Sequence, residues 1–393
     1  MEQPVKRSTD RILTSHTGSL PRSPELFARL RERASGGPYD EAAFDGSVKA
    51  AVAEMVRRQV EAGVDIVSDG EQSKPMFSDY VADRLNGFEG SHNSPDRFVN
   101  NNRHAEPFPA YAAWRDAQGA SLNPGAMPRR PKCVGPISWR DRAYEVDIAN
   151  MKAAMAQTPV VEGFMPSPSP GIIAMRLPNE YYRDEEAYLF AIADAMKDEY
   201  HAIADAGLVL QIDAPDTAMS WDRQHWDSLE EFRAAVAMRI DALNHALQGI
   251  PEEQVRYHVC WGNNESPHTG DVPLTGIADL IFRVNAGAYS VEATNPRHGH
   301  EWQAWETLKL PDGKSLMPGV IDSVTMFVEH PDLVAQRLVR YANLVGRANV
   351  IAGVDCGFGT GASPTPRVHP EIVMAKFAAL AEGARRASAL LWR

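Results

Sequence analysis

The chain has 393 residues, 44% of them apolar, which is enough for a sizeable core. Lys and Arg total 40 against 52 Asp and Glu, and the formal charge of -12 repels nucleic acid and anionic membranes, both of which need clustered positive charge. No apolar run is long enough to span a bilayer and the N-terminus (MEQPVKRSTDR) lacks a signal-peptide core, so a cytoplasmic protein with no membrane partner is expected.

In chain order, short apolar or β-branched runs at residues 11–17, 65–68, 133–137, 160–165, 208–212, 256–260, 289–292, 316–321 and 349–354 read as strands. Helical periodicity marks residues 45–62, 184–206, 229–247, 333–344 and 370–387. Gly63 and Gly207 each follow a helix and precede a strand, the place of a C-terminal glycine cap. Repeated βα units predict an α/β fold, a closed (β/α)8 TIM barrel, over an open doubly wound sheet. No GxGxxG turn follows the first strand to favour the open form. Nine strand candidates are one too many, and residues 133–137 are expected to lie partly outside the barrel wall.

Residues 91–131 break the pattern. They are rich in Asn, Pro, Arg and aromatic residues and have no period. Loops of this length are usually functional. Inserted after the second strand, this one is expected on the catalytic face as an active-site cover; a peripheral excursion or subunit contact is the other reading. No linker divides the chain, so residues 1–393 read as one catalytic barrel.

There are three cysteines, Cys133, Cys260 and Cys356, too few and too odd for a disulfide framework. Active sites of such barrels form at the C-terminal ends of the strands. Those ends carry Thr17-Gly18-Ser19, Asp69-Gly70-Glu71, Asp213, His258-Val259-Cys260, Glu292 and Asp355-Cys356. Residues two apart in a strand share a face, so His258 and Cys260 can bind one ion, with Cys356 reaching it from another strand. Glu292 offers a carboxylate from the neighbouring strand. Imidazole, thiolate and carboxylate together suit Zn2+ better than Mg2+ or Ca2+, and ligands spread over several strands suit a catalytic ion. The competing reading has His258 hydrogen-bonded in the mouth and both cysteines packed as apolar groups.

The motifs TGSLPR, DGE, LQIDAP, HVCWG, VEATN, PGVID and VDCG, from Thr14 to Gly357, resemble the catalytic barrel of the cobalamin-independent methionine synthase family and its short single-barrel relatives. The resemblance implies zinc ligation by His258, Cys260, Glu292 and Cys356, and transfer of a methyl group to a small-molecule thiol. It also implies that Ser19, Glu71 and Asp213 hold homocysteine. Those residues fit: carboxylates suit an ammonium, and a hydroxyl with nearby N–H groups suits a carboxylate. A helix cap for Asp213 and a barrel-mouth ion pair for Glu71 are the simpler alternatives. Cys133 matches no ligand.

Two departures argue against a folate donor. Ala214 stands where these synthases carry a glutamate, and Val324 stands where they place a histidine that serves as proton donor. His16, beside the TGS turn, is the best substitute acid among His16, His268, His298 and His300. The short relatives include epoxyalkane:coenzyme M transferases, whose sulfonate substrate would need a cation such as Arg22 or Arg297. A non-catalytic zinc-binding barrel is the alternative of another class.

Overall fold

The computed structural model describes residues 6–34, 38–90, 103, 106–118 and 131–393. The strands are β1 (Leu13–Thr14), β2 (Ile66–Ser68), β3 (Leu85–Glu89), β4 (Lys132–Trp139), β5 (Glu162–Pro168), β6 (Val209–Asp213), β7 (Val255–Val259), β8 (Ala288–Val291), β9 (Ser315–Pro318) and β10 (Ile351–Ala352). Six of them run parallel in the order β2-β5-β6-β7-β8-β9, and β1 pairs in parallel with β10. Parallel bridges Ser15↔Ile66, Leu316↔Val350 and Gly319↔Gly353 join the two groups at both seams. The result is a closed eight-stranded (β/α)8 barrel, as the sequence predicts.

The remaining pair, β3 and β4, forms an antiparallel hairpin outside the ring, with a register shift between Asn86 and Phe88. Residues 133–137 therefore lie outside the wall. Their partner is a strand the sequence did not announce, because Asn86 and Gly87 interrupt its apolar pattern. The insertion joins β3 to β4. Most of the expected cover falls outside the described residues, but Arg103 is placed. Its guanidinium lies 4.0 Å over the Trp221 ring and donates to the Trp226 carbonyl at 3.0 Å, beyond β6.

The helices start where side-chain oxygens satisfy the free amides of a first turn. Asp184 accepts from Ala187 N ahead of Glu185–Asp205, and Ser228 accepts from Glu231 N ahead of Leu229–Ala246. In Glu41–Glu61, Val48, Val52 and Val56 recur every fourth residue and are buried. That stripe packs the helix against the sheet, at about 1.5–3 kcal/mol for each fully buried side chain. Among the described residues, no helix is long and apolar enough to cross a membrane.

A second, smaller apolar cluster consists only of strand residues: Leu13, Ile66, Phe164, Val209, Met317 and Ile351. It fills the barrel interior. Two residues further along β6, and on β7, the interior turns polar. Arg256 Nε donates to Gln211 Oε1 at 2.7 Å, and its Nη1 donates to Ser15 Oγ at 2.9 Å. Gln211 Nε2 donates in turn to Thr17 O at 2.6 Å and to Asp213 Oδ1 at 2.7 Å. This buried column carries order from the barrel centre to its C-terminal mouth.

Candidate active site at the barrel mouth

His258 lies in β7 opposite Ser290 of β8, and its Nδ1 is 3.0 Å from Ser290 Oγ. Its Nε2 is buried and has no hydrogen-bond partner among the described residues. Burial, then the Arg256 charge, holds this imidazole neutral, its pKa lowered to about 3. Cys260 follows on the same face, and its Sγ is 3.4 Å from Cys356 Sγ beyond β10. One ligand atom from each of His258, Cys260 and Cys356 lies within 4.8 Å of the others. Two sulfurs about 2.3 Å from a tetrahedral zinc stand about 3.8 Å apart, so this spacing and the orphaned imidazole nitrogen fit such an ion.

Glu292, just past β8, stands beside this group without belonging to its tight core of three. Its Oε1 accepts from Trp261 N at 2.8 Å and its Oε2 from Asn295 Nδ2 at 2.7 Å. Burial, then the neighbouring Cys260, pushes its carboxyl well above the usual range. Asp355 ties the loop after β8 to the end of β10. Its Oδ1 accepts from Ala293 N at 2.8 Å and Thr294 N at 3.0 Å, and its Oδ2 from Asn295 N at 2.9 Å. A Cβ on Gly319 would lie 2.3 Å from Asp355 Oδ1, so this clamp needs glycine there.

The three residues expected to bind substrate stand at other strand ends: Ser19 after β1, Glu71 after β2 and Asp213 at the end of β6. Glu71 is fully enclosed and has a left-handed backbone, φ 54°. For a non-glycine residue that conformation costs about 1–3 kcal/mol and is held only by firm surroundings. Asp69 Oδ1 accepts from Glu71 N at 3.0 Å, and Arg22 Nη2 donates to the Glu71 carbonyl at 2.7 Å. Glu71 Oε2 is left without a hydrogen bond, 3.7 Å from Arg22 Nη2. Asp213 ends β6; burial, then the charge on Glu71, pushes its carboxyl well up. Ser19 is buried against the turn after β10, where a Cβ on Gly357 would meet Ser19 Oγ at 1.9 Å.

Lys74 is a residue that sequence reasoning missed. It is buried, donates to Pro166 O at 2.7 Å and lies 4.5 Å over the Tyr80 ring. Its charge lowers the carboxyls of Glu71 and Asp213, against the larger effect of burial. Only its place three residues after Glu71 could have signalled it. Gln211 was more legible, being two residues before Asp213 and so on the same face of β6.

The histidines separate clearly. His16 Nδ1 accepts from Gly18 N at 3.1 Å, and Nε2, the protonated nitrogen, is 2.6 Å from Gln59 Oε1. Its ring packs on Phe164 and Phe377, and burial lowers its pKa to about 3. With both nitrogens engaged, His16 holds the turn after β1 and has no free proton to offer a leaving group. His298 is a fixed cation. Burial opposes its charge, but bonds to Asp271 at 3.0 Å and Glu301 at 2.8 Å prevail and raise it to about 10. Its ring lies 4.5 Å from that of Trp261, next to Cys260.

Fold and site together define a (β/α)8 barrel with an imidazole–dithiol cluster and a pair of buried carboxyls at the C-terminal ends of its strands. Residues 12–97 and 123–376 match the family described as cobalamin-independent synthase, catalytic domain, and the chain belongs to that family. A methionine synthase of Pyrococcus furiosus is 22% identical over 358 residues, spanning 91% of this chain and 87% of that protein. A 5-methyltetrahydropteroyltriglutamate–homocysteine methyltransferase of Chelativorans sp. is 24% identical over 353 residues, 88% of this chain but 39% of that longer protein. The same fold occurs in a B12-independent methionine synthase from Shewanella sp. W3-18-1 solved with selenomethionine. There the TM-score is 0.69 at 20% identity, covering 95% of this chain and 97% of that one.

Proposed function

We propose that this protein is a zinc-dependent methyltransferase that alkylates homocysteine or a closely similar amino-acid thiol. The observation that carries the reading is the convergence of the His258 imidazole with the Cys260 and Cys356 sulfurs within one ion's reach at the barrel mouth. His258, Cys260 and Cys356, with Glu292 as fourth ligand, would hold a zinc ion there, which would supply a Lewis acid that lowers the pKa of a substrate thiol.

The chain's own residues orient that thiol. Glu71 and Asp213, buried and close enough for the charge of Glu71 to oppose that of Asp213, form a site for an ammonium group. The Ser19 hydroxyl supports the substrate carboxylate. Ser290 engages His258 Nδ1, which leaves Nε2 as the nitrogen available to a metal. The names of the Pyrococcus and Chelativorans relatives support methyl transfer to homocysteine.

The carboxylate pair also weighs against a sulfonated thiol opening an epoxide. Arg22 spends its guanidinium on the carbonyls of Leu20, Gly359, Glu71 and Lys74, and Arg297 is exposed. After β9, Val324 stands where the synthases place a proton-donating histidine and offers no ionisable group, and Asp322 accepts from the amides of Val324 and Thr325.

The test is a purified-enzyme assay with homocysteine against methylfolate and methylcobalamin, before and after removal of zinc. Methionine formation that disappears with chelation and returns with zinc supports the reading and eliminates a non-catalytic barrel. Methionine formation at the same rate without zinc refutes it.

A further inference from the structure

The cluster of His258, Cys260 and Cys356 is anchored by short local contacts, whereas the neighbouring carboxylate of Glu292 has a support system of its own. Its Oε2 accepts from Asn295 Nδ2 at 2.7 Å, three residues further on. The orientation of that amide is set from the other end. Asn295 Oδ1 accepts from Arg297 N and His298 N, both at 3.0 Å, so the NH2 group faces Glu292. The backbone of Asn295 is in turn fixed by Asp355, the residue before Cys356. An unbroken chain of hydrogen bonds therefore runs from the Cys356 strand end, through the loop after β8, to the Glu292 carboxylate. Trp261 N, adjacent to Cys260, holds the other oxygen.

We propose that Asn295 is a positioning residue for Glu292, fixing the direction in which its carboxylate is offered to the metal centre. The inference rests on the zinc reading given above. A carboxylate that pivots on its side-chain bonds loses rotamer freedom on binding an ion; one already held at both oxygens has lost most of it beforehand. Groups that orient metal ligands in this way change metal affinity about 10–100-fold when replaced. Asn295 has a second task, closing the turn through its Oδ1, and the two tasks can be separated by substitution. Asn295→Asp keeps an acceptor for the turn, but replaces the donor to Glu292 with an oxygen of like charge.

The experiment is a double-mutant cycle read by zinc affinity, measured in competition with a chromophoric chelator. Asn295→Asp is expected to weaken zinc about 10–100-fold in the wild-type chain, and less than twofold when Glu292 is already Gln. Circular dichroism and melting of the metal-free proteins check the fold. If Asn295→Asp does not fold, Asn295→Ser, too short to reach Glu292 but still an acceptor, completes the same cycle. Unchanged affinity in the wild-type background overturns the proposal. Equal losses in both backgrounds also overturn it, since they assign the effect to the turn. A wild-type chain that binds no zinc overturns the zinc reading as well, whereas zinc binding insensitive to Asn295 overturns this inference alone.

Discussion

On the β7–β10 side of the mouth stand an imidazole, two thiols and the Glu292 carboxyl, the last held at both oxygens; on the β2–β6 side stand the carboxyls of Glu71, anchored through its backbone, and Asp213, anchored through the Gln211 side chain. His258 is held at Nδ1 and leaves Nε2 free, while Glu71 is held at N and O and leaves Oε2 free. His258 Nε2 and Glu71 Oε2 are thus buried polar atoms without a hydrogen-bond partner among the described residues, a costly arrangement unless something binds there. On the function proposed above, the difference means that one half holds a cation directly and the other receives a substrate that brings its own positive charge.

The sharpest way to break this contrast is on the metal side. Cys260→Ser or Cys356→Ser is expected to remove zinc and to lower turnover about 10³-fold or more, corresponding to about 4 kcal/mol of transition-state stabilisation. Elemental analysis and kinetics measure both effects, with circular dichroism showing an intact barrel. On the carboxylate side, Asp213→Asn is expected to raise KM for homocysteine roughly 10²-fold, but to leave zinc content unchanged. A thiol without the amino group should bind wild type and variant alike. Equal losses for both thiols would detach Asp213 from ammonium recognition.

pH sharpens the same contrast. Burial raises the carboxyls of Glu71 and Asp213, so part of the pair is protonated at pH values where free carboxylates are charged. An ammonium binds best to the charged forms. Affinity for an amino acid without a thiol, such as methionine, should therefore rise with pH through those raised values, with proton release detected by calorimetry in two buffers of different ionisation enthalpy. Proton uptake would contradict the assignment.

A smaller effect belongs to the network behind Trp261. Asp271 is opposed by burial, but bonds from His268 and His298 lower it to about 2. His298 is raised from 6.5 to about 10, so its contribution to stability is complete below 6.5 and is lost as pH rises through about 10. The Asp271 contribution is present above its unfolded value of 3.8 and is lost as pH falls through about 2. His298→Gln is expected to lower Tm by roughly 3–6 °C at pH 7, with little difference from wild type above pH 10. A constant difference at every pH would remove the charge from the account.

Much of this was readable from the chain. The two-residue spacing of His258 and Cys260 places both on one face, and the strand ends locate Cys356 and Glu292 from the alternation of elements alone. Strand β3 was hidden because its Asn86 and Gly87 carry no periodicity. For His16, proximity in sequence says nothing of Gln59, which reaches its ring nitrogen from the helix Glu41–Glu61. Lys74 and Asp355 were missed as partners for a related reason. Each acts through contacts with segments distant in the chain, to Pro166 in one case and to the loop after Glu292 in the other.

The central claim is that a substrate thiol joins the metal at His258, Cys260 and Cys356. Zinc X-ray absorption of the loaded enzyme, with and without homocysteine, tests it directly. The account predicts two sulfur neighbours in the resting enzyme and three after the thiol is added. A sulfur count that remains at two under saturating homocysteine would contradict it.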